Sequence, residues 1–297
     1  MFPARNIMNS SYSASTIIDL FKTAVASMDS GDNTALSALL QEHPALVTSA
    51  MPQEENAPLD YFSGAFLLHY VAGNPNRGNL PKSIVKSAQL LLEAGADPNA
   101  KTLTGSTTIG LILSSKDASQ AGVGLGLIEL LVAAGATDDL DNEDVLLMPL
   151  RNCAPETALH LWQHGYPVGV RAAAGLGQTA LVRELVQTQP TQNELDEALT
   201  YAVTHRHHEI ILLLLEHGAN INAIPPVYGN PGTALHIASD LETARLLTEN
   251  GADLFAVDPT FNGTPLDWAA YGGHTEIVDY LRSCITNLGT NQKNPTR

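Results

Sequence analysis

The chain has few cysteines, few basic residues and no long apolar run. Its 297 residues include two cysteines and no Cys-x-x-Cys pair, which excludes a disulfide framework and a thiolate zinc site. No stretch approaches the ~18 apolar residues that a membrane-spanning helix needs. The N-terminal residues lack the apolar core of a secretory signal, so we expect a cytoplasmic protein.

The charge balance restricts the class of partner. There are 15 Lys and Arg residues against 31 Asp and Glu, a net charge of −16. This charge argues against nucleic acid and anionic membranes, and it favours a protein partner with a basic surface. Glycine and proline are spread along the chain, with 23 and 17 residues, which suggests many small helical units instead of one large core.

The segment GTPLDWAAYGGHTEIVDYL (263–281) predicts two short helices. Thr264 is a typical N-cap, and Pro265 suits the first helical position. The glycine pair 272–273 predicts the end of the first helix, and helical spacing of apolar residues predicts the second. Isolated helices shorter than ~12–15 residues are marginal in water. These two therefore need similar helices to pack against.

Similar helical endings recur along the chain. A leucine-rich stretch followed by Gly-Ala occurs as LLLEAGADPNA, LLVAAGATDD, LLLLEHGANINA and LLTENGADLFA, with HLWQHGYPV as a degenerate copy. Gly218 and Gly251, in two successive copies, are 33 residues apart. A period near this length with two helices per period is typical of stacked repeats.

These segments resemble the ankyrin repeat, whose pattern includes Gly-x-Thr-Pro-Leu-His and ends in Gly-Ala-Asp. Asp267 stands where the family usually has His, whereas GTALHIA keeps it as His236. The resemblance spans residues 15–286 in about eight repeats. It is of the type seen in bacterial ankyrin repeat-containing proteins. It implies an all-α solenoid of helix–loop–helix units with hairpin-like inter-repeat loops. Residues 1–14 are expected to be poorly ordered, and residues 287–297 to form a polar tail.

The string Thr-Ala-Leu-His occurs twice and tests the register of the repeats. At 233–236 it is expected to open an inner helix. At 157–160 it closely precedes the end of a unit, so we expect it to lie in an outer helix.

The resemblance implies structural roles for residues that would otherwise suggest chemistry. Besides Thr264 and Pro265, the histidines His207, His236 and His274 are expected to hydrogen-bond loop backbone groups. Trp268 occupies a packing position, with ligand stacking as the alternative. The HRHHE stretch (205–209) lacks a second group of ligands, so no metal is expected. No nucleophile motif is present, and we predict neither catalytic residues nor a cofactor.

A non-catalytic protein-binding module, acting as a scaffold or regulator, is the function that the resemblance implies. Contacts are expected on its concave face and loop tips, at Leu103, Arg151, Leu176, His205, Tyr228, Phe261 and Tyr271. An acidic loop either is simply solvated or docks Lys and Arg of a partner, through Asp138, Asp139, Asp141 and Glu143.

Two insertions, at 74–83 and 114–124, lie between the two helices of repeats two and three, respectively. They should be neighbours in space. They carry Arg77, Lys82 and Lys116, which we expect to form a local basic cluster. Insertions on one face of a solenoid often mark a binding face, although loop growth is also tolerated at little cost. An enzyme or small-molecule binder with a pocket beneath these insertions is one alternative function. A secreted effector that captures host proteins is another.

Overall fold

The computed structural model describes residues 13–53, 57–73, 77–78, 80–137, 144–227 and 232–291. These residues form α-helices, short 3-10 helices and two isolated antiparallel β-bridges, and no strand occurs among them. The chain divides into two compact units, Met1–Leu161 and Trp162–Arg297.

The first unit contains four successive helical pairs. The second pair begins with a 3-10 helix, Leu67–Ala72, and the third pair holds an extra short helix in its insertion. A further 3-10 helix, Pro44–Thr48, follows the first pair. The α-helices are α1 (Ala14–Ser30), α2 (Asn33–Glu42), α3 (Ile84–Glu93), α4 (Thr108–Ser114), α5 (Lys116–Gln120), α6 (Gly124–Ala133), α7 (Asp144–Arg151) and α8 (Pro155–Gln163).

The second unit also consists of successive helical pairs. Its third repeat has a hydrogen-bonded turn at 234–237 in place of the inner helix. A 3-10 helix, Val186–Thr188, follows the outer helix of its first repeat. The α-helices are α9 (Val170–Gly175), α10 (Thr179–Leu185), α11 (Gln192–Thr204), α12 (His208–Glu216), α13 (Leu241–Glu249), α14 (Pro265–Tyr271) and α15 (Thr275–Asn291).

The glycines of the repeated ending share one backbone conformation. Gly95, Gly135, Gly165, Gly218 and Gly251 all have φ between +90° and +97°. This region is strained for residues with a Cβ, so in these five repeats glycine follows the outer helix and turns the chain toward the next repeat. The predicted repeat pattern, including the degenerate copy at Gly165, is thus confirmed.

The core of the second unit consists of alanine, leucine, valine and isoleucine side chains, most of them on facing helices. Ala198 and Ala202 of α11 and Ala173 and Ala174 of α9 are fully buried. Such small side chains let neighbouring helices approach closely, and leucine and isoleucine on the outer helices fill the remaining space. Each short helix is therefore stabilised by its neighbours instead of by its own length.

The two Thr-Ala-Leu-His strings have different structures. The string at 157–160 lies within the outer helix α8, as predicted. The prediction of an inner helix at 233–236 is wrong, because these residues form only a turn. The side chain of Asp240 accepts a hydrogen bond from Thr243 N and caps α13 four residues after His236, which leaves room for a single turn.

A hairpin-like loop joins two repeats of the first unit, and the last helix extends beyond the expected end of the repeats. Lys101 and Thr107 form an antiparallel bridge, which confirms the hairpin-like loop between two repeats of the first unit. The final helix α15 continues to Asn291, beyond the expected end of the repeats at residue 286.

Candidate partner-binding site

The last repeat of the second unit presents a cleft lined mainly by aromatic side chains. We define the aromatic cleft as Phe261, Gly263, Asp267, Trp268 and Tyr271, which line a cavity of about 560 Å³. Helix α14 supplies three of these residues, and the preceding loop supplies the other two. Tyr271 is 98% exposed and Phe261 is 72% exposed. Large apolar rings are thus held at the surface beside an acidic side chain.

A buried carboxylate organises the loop side of the cleft. Asp258 Oδ1 accepts hydrogen bonds from Thr260 N at 2.9 Å and Phe261 N at 2.6 Å. Its Oδ2 accepts from Gly263 N at 2.8 Å and from Trp268 Nε1 at 2.9 Å. Burial alone would raise the pKa of Asp258, but these four donors outweigh burial and lower the pKa to about 2. An ionised carboxylate therefore holds the loop and the indole ring together.

Trp268 is packed edge-on between two other rings. The Phe261 ring lies 6.2 Å away and the His236 ring 5.6 Å away, both in T-shaped geometry. A Cβ on Gly263 would lie only 3.0 Å from Trp268 Cδ1, so glycine lets the loop approach the indole closely. Trp268 is half-buried, and it combines the packing role with a position in the cleft wall.

Asp267 serves both the helix start and the cleft. Thr264 N and Thr264 Oγ1 donate to Asp267 Oδ2 at 2.9 and 2.6 Å, while Asp267 N donates to Thr264 Oγ1 at 3.3 Å. This reciprocal capping box replaces the histidine usual at this position. The hydrogen bonds from Thr264 lower the pKa of Asp267, so the exposed carboxylate is ionised at neutral pH.

His236 joins the turn of one repeat to the loop of the next. Its Nδ1 accepts from Thr233 N at 3.1 Å, and its Nε2 lies 3.1 Å from Gly263 O. The backbone donor at one nitrogen and the carbonyl at the other require a neutral ring with the proton on Nε2. Burial lowers the pKa of His236, although the Gly263 carbonyl opposes this effect.

Two further histidines link adjacent repeats in the same manner. His69 Nδ1 accepts from Phe66 N at 2.9 Å, and its Nε2 lies 3.0 Å from Ala100 O. His207 Nε2 lies 3.1 Å from Gly175 O of the preceding repeat. Burial lowers the pKa of both. Sequence reasoning missed His69, although Phe66 and His69 have the same three-residue spacing as the pair 233 and 236.

The remaining histidine with a predicted structural role has different surroundings. His274 is half-buried, and a Cβ on Gly272 would lie 2.8 Å from its Cδ2. Its ring therefore covers a glycine at the end of α14. The hydrogen-bonding role of His274 stays a prediction.

The other predicted contact residues fall into three groups. Besides Phe261 and Tyr271, Leu103 is strongly exposed, at 62%, in the first unit. Three are half-buried, namely Arg151, Leu176 and His205, whose ring stacks 6.2 Å from that of His207. The predicted Tyr228, Asp138, Asp139, Asp141 and Glu143 lie outside the described residues. Of the predicted residues, the cleft brings together Phe261 and Tyr271.

The prediction that Arg77 belongs to an exposed basic cluster on the insertions is wrong. Its side chain is only 13% exposed, with Nη1 3.3 Å from Asp29 Oδ1 and Cζ 5.4 Å from the centre of the Tyr70 ring. Its Nη2 also donates to the Tyr70 carbonyl. Lys82 and Lys116 are exposed. Ion pairing and ring stacking draw the guanidinium inward and remove it from the surface.

The two insertions are neighbours, as predicted. A Cβ on Gly73 would lie 2.8 Å from Leu80 Cδ1, in the first insertion, and 3.1 Å from Asp117 Cβ, in the second. The second insertion also forms α5, which Ser115 caps by accepting from Ala118 N. The described residues of both insertions therefore pack against the repeats.

Within the described ranges, no group of three or more His, Cys, Asp or Glu residues is placed to hold a metal ion. No helix within these ranges has the length and apolar character required to cross a bilayer.

Pairs of short helices, five of them followed by a left-handed glycine and several linked by histidine side chains, define a helical-repeat protein. Models of ankyrin repeats in many copies match residues 199–239 and 234–282, and a model of the single ankyrin repeat matches residues 63–103. An ankyrin repeat protein of Fowlpox virus (strain NVSL) is 40% identical over 78 residues, which are 25% of this chain and 15% of that protein. The matched segments are ankyrin repeats, which form protein–protein interaction modules and occur in proteins that are generally not catalytic.

Proposed function

We propose that the chain is a non-catalytic scaffold or regulator that binds a protein partner through the aromatic cleft. The observation that carries this proposal is the exposure of Phe261 and Tyr271 beside Trp268. Aromatic side chains held at the surface lose the stabilisation of burial, and clustered exposed apolar groups mark interaction sites. Tyr and Trp also supply much of the binding energy at protein interfaces.

The cleft is preorganised for binding. Asp258 holds the loop and the indole through four hydrogen bonds, and His236 joins the same loop to the preceding repeat. A partner would therefore immobilise few additional side chains on the cleft, which reduces the entropic cost of association.

Affinity capture with mass spectrometry tests the site. The full chain is compared with a Phe261→Ala/Tyr271→Ala variant, and with Leu59→Ala/Tyr61→Ala as a matched control of exposed apolar residues in the first unit. Removal of one hot-spot side chain costs about 2 kcal/mol or more, so the cleft variant should lose at least roughly 30-fold in affinity. A protein retained by the wild type and the control, but not by the cleft variant, is the expected result. Equal recovery on all three excludes the cleft.

A small-molecule binding function is the second candidate, favoured by an observation at the first insertion. Arg77 lines a cavity of about 490 Å³ together with Asp60, Ser63 and Tyr70, among others. Its Nε is buried without a hydrogen-bond partner in the described structure, whereas its Nη1 is ion-paired with Asp29. Such a donor suits a small ligand that carries hydrogen-bond acceptors.

Thermal-shift screening of metabolite-sized compounds tests this second candidate. Compounds that stabilise the wild type but not Arg77→Met would support a ligand site beside Arg77. Arg77→Lys, which keeps the charge but loses the planar fork, serves as the matched variant. Compounds that act equally on all three chains, or no stabilising compound at all, would argue against it.

A further inference from the structure

We propose that the aromatic cleft takes up the side chain of an arginine in a basic segment of the partner. This inference rests on the proposed function and names the chemistry that the same site recognises. It is carried by the distribution of hydrogen-bond donors, acceptors and aromatic faces among the residues of the cleft.

The polar N–H donors of the cleft are already engaged inside the protein. Trp268 Nε1 and Gly263 N both donate to Asp258 Oδ2, and Asp267 N donates to Thr264 Oγ1. An anionic ligand would find few donors in this cleft. A cation, by contrast, needs acceptors and electron-rich ring faces.

Both of these cation-binding features are present. Asp267 Oδ2 is occupied by Thr264, while Oδ1 makes no hydrogen bond to the described residues and lies on an exposed side chain. The second carboxylate, Asp258, accepts a hydrogen bond from Trp268 Nε1 at 2.9 Å, at the edge of the indole. Two negative charges thus lie near the Trp268 ring, which strengthens its attraction for a cation.

The dimensions of the cleft suit an extended cationic side chain. The cavity of about 560 Å³ is lined by Phe261, Trp268 and Tyr271. It has room for the apolar stem of a long side chain as well as its charged head. The net charge of −16 adds long-range attraction for a basic segment.

Arginine fits this arrangement better than lysine. Its guanidinium is planar and weakly hydrated, so it stacks on an aromatic face while its edge donates to a carboxylate. The second unit already contains a guanidinium over an aromatic ring, because Arg245 Cζ lies 4.8 Å from the centre of the Tyr280 ring. We expect a similar distance between the partner's guanidinium and the Trp268 indole.

Peptide titration followed by NMR tests the inference. The full chain carries Trp162→Phe, so that Trp268 gives the single indole N–H signal. The probes are a short Gly/Ser peptide with one central arginine and the same peptide with citrulline, the neutral isostere. The arginine peptide should shift the indole signal saturably and bind roughly 5- to 30-fold more tightly than the citrulline peptide.

Two variants and one control locate the effect. Asp267→Asn keeps an oxygen for Thr264 but removes the charge, and Tyr271→Ala removes a fully exposed ring. Both should reduce the preference for arginine severalfold. Asp279→Asn removes an exposed carboxylate of α15 outside the cleft and should leave the preference unchanged. Circular dichroism checks that each variant is folded.

The outcomes separate this inference from the proposed function. Equal binding of the two peptides, no saturable shift with either, or an undiminished arginine preference in Asp267→Asn overturns the inference. Each of those results leaves the capture experiment on Phe261 and Tyr271 to decide the proposed function. A preference for arginine that is present in the wild type, lost in Asp267→Asn and kept in Asp279→Asn supports the inference.

Discussion

Replacement of His236 by leucine should destabilise the second unit while preserving side-chain volume. The ring is 4% exposed and bridges Thr233 and Gly263, which are 30 residues apart in the chain. Leucine fills much of the same space but neither accepts from Thr233 N nor donates to Gly263 O. The loss is therefore mainly one of hydrogen bonds between two loops, together with the T-shaped ring contact to Trp268.

The expected magnitude follows from what each partner retains. Thr233 is 2% exposed, so its N–H would be buried without an acceptor, which costs about 1–3 kcal/mol. Gly263 O still accepts from Asp258 N at 3.0 Å, so at that end only an ordinary hydrogen bond is lost, worth about 0.5–1.5 kcal/mol. Together we expect a loss of roughly 2–4 kcal/mol in the free energy of unfolding.

Urea denaturation followed by far-ultraviolet circular dichroism measures this loss. His274→Leu is the matched control, because that ring is half-buried and lies over Gly272. The control should change the free energy of unfolding by no more than about 0.5 kcal/mol. Similar destabilisation by the two substitutions would refute the assignment of His236 as an inter-repeat link.

The same histidine predicts a direction for the pH dependence. Burial lowers the pKa of His236 below its ordinary value of 6.5, so the unfolded chain takes up a proton before the folded chain does. Stability from this group is complete above about pH 6.5 and is lost as pH falls through the lower pKa of the folded state. His236→Leu should therefore show a smaller loss of stability on acidification than wild type, and an unchanged slope would contradict the linkage.

Two further substitutions probe close approach and the buried carboxylate. Gly177→Ala should lower the free energy of unfolding by roughly 2–4 kcal/mol, because its φ is +71° and the new Cβ would lie 2.7 Å from His207 Cε1. Gly135→Ala, with φ +94° and open space around it, should cost only about 1–2 kcal/mol, and equal losses in thermal denaturation would refute the contact argument. In a Trp162→Phe background, Asp258→Asn places an amide NH₂ against N–H donors, so the fluorescence of Trp268 should shift toward that of an exposed indole. Unchanged emission would show that the carboxylate does not hold the ring.

The local elements were predictable because their causes are local. Thr264 and Pro265 start a helix through capping and a fixed φ, and both occupy those positions in α14. The glycines that follow the outer helices were equally predictable, because only glycine adopts a positive φ without steric strain. The same logic would have found His69, whose spacing from Phe66 repeats that of His236 from Thr233.

Predictions that depended on distant partners were less successful. Arg77 in a polar insertion suggested an exposed base, but Asp29, 48 residues earlier, draws it inward. Asp258 belongs to no recognisable motif, because its role arises only when the loop closes and brings Trp268 within 2.9 Å. Burial and hydrogen-bond pairing are properties of the assembled repeats, so they cannot be predicted from a short stretch of sequence.

The amino-acid sequence by itself determined the repeat, its period and the start and end of many helices, because capping, glycine conformations and apolar spacing act within a few residues. It also indicated Phe261 and Tyr271 as separate surface residues. Only the tertiary structure decided that they share a cleft with Trp268 and Asp267, and that Asp258 holds this cleft in place. The physical reason is that a site is formed by contacts between a loop and a helix, and those contacts exist only after the repeats have packed.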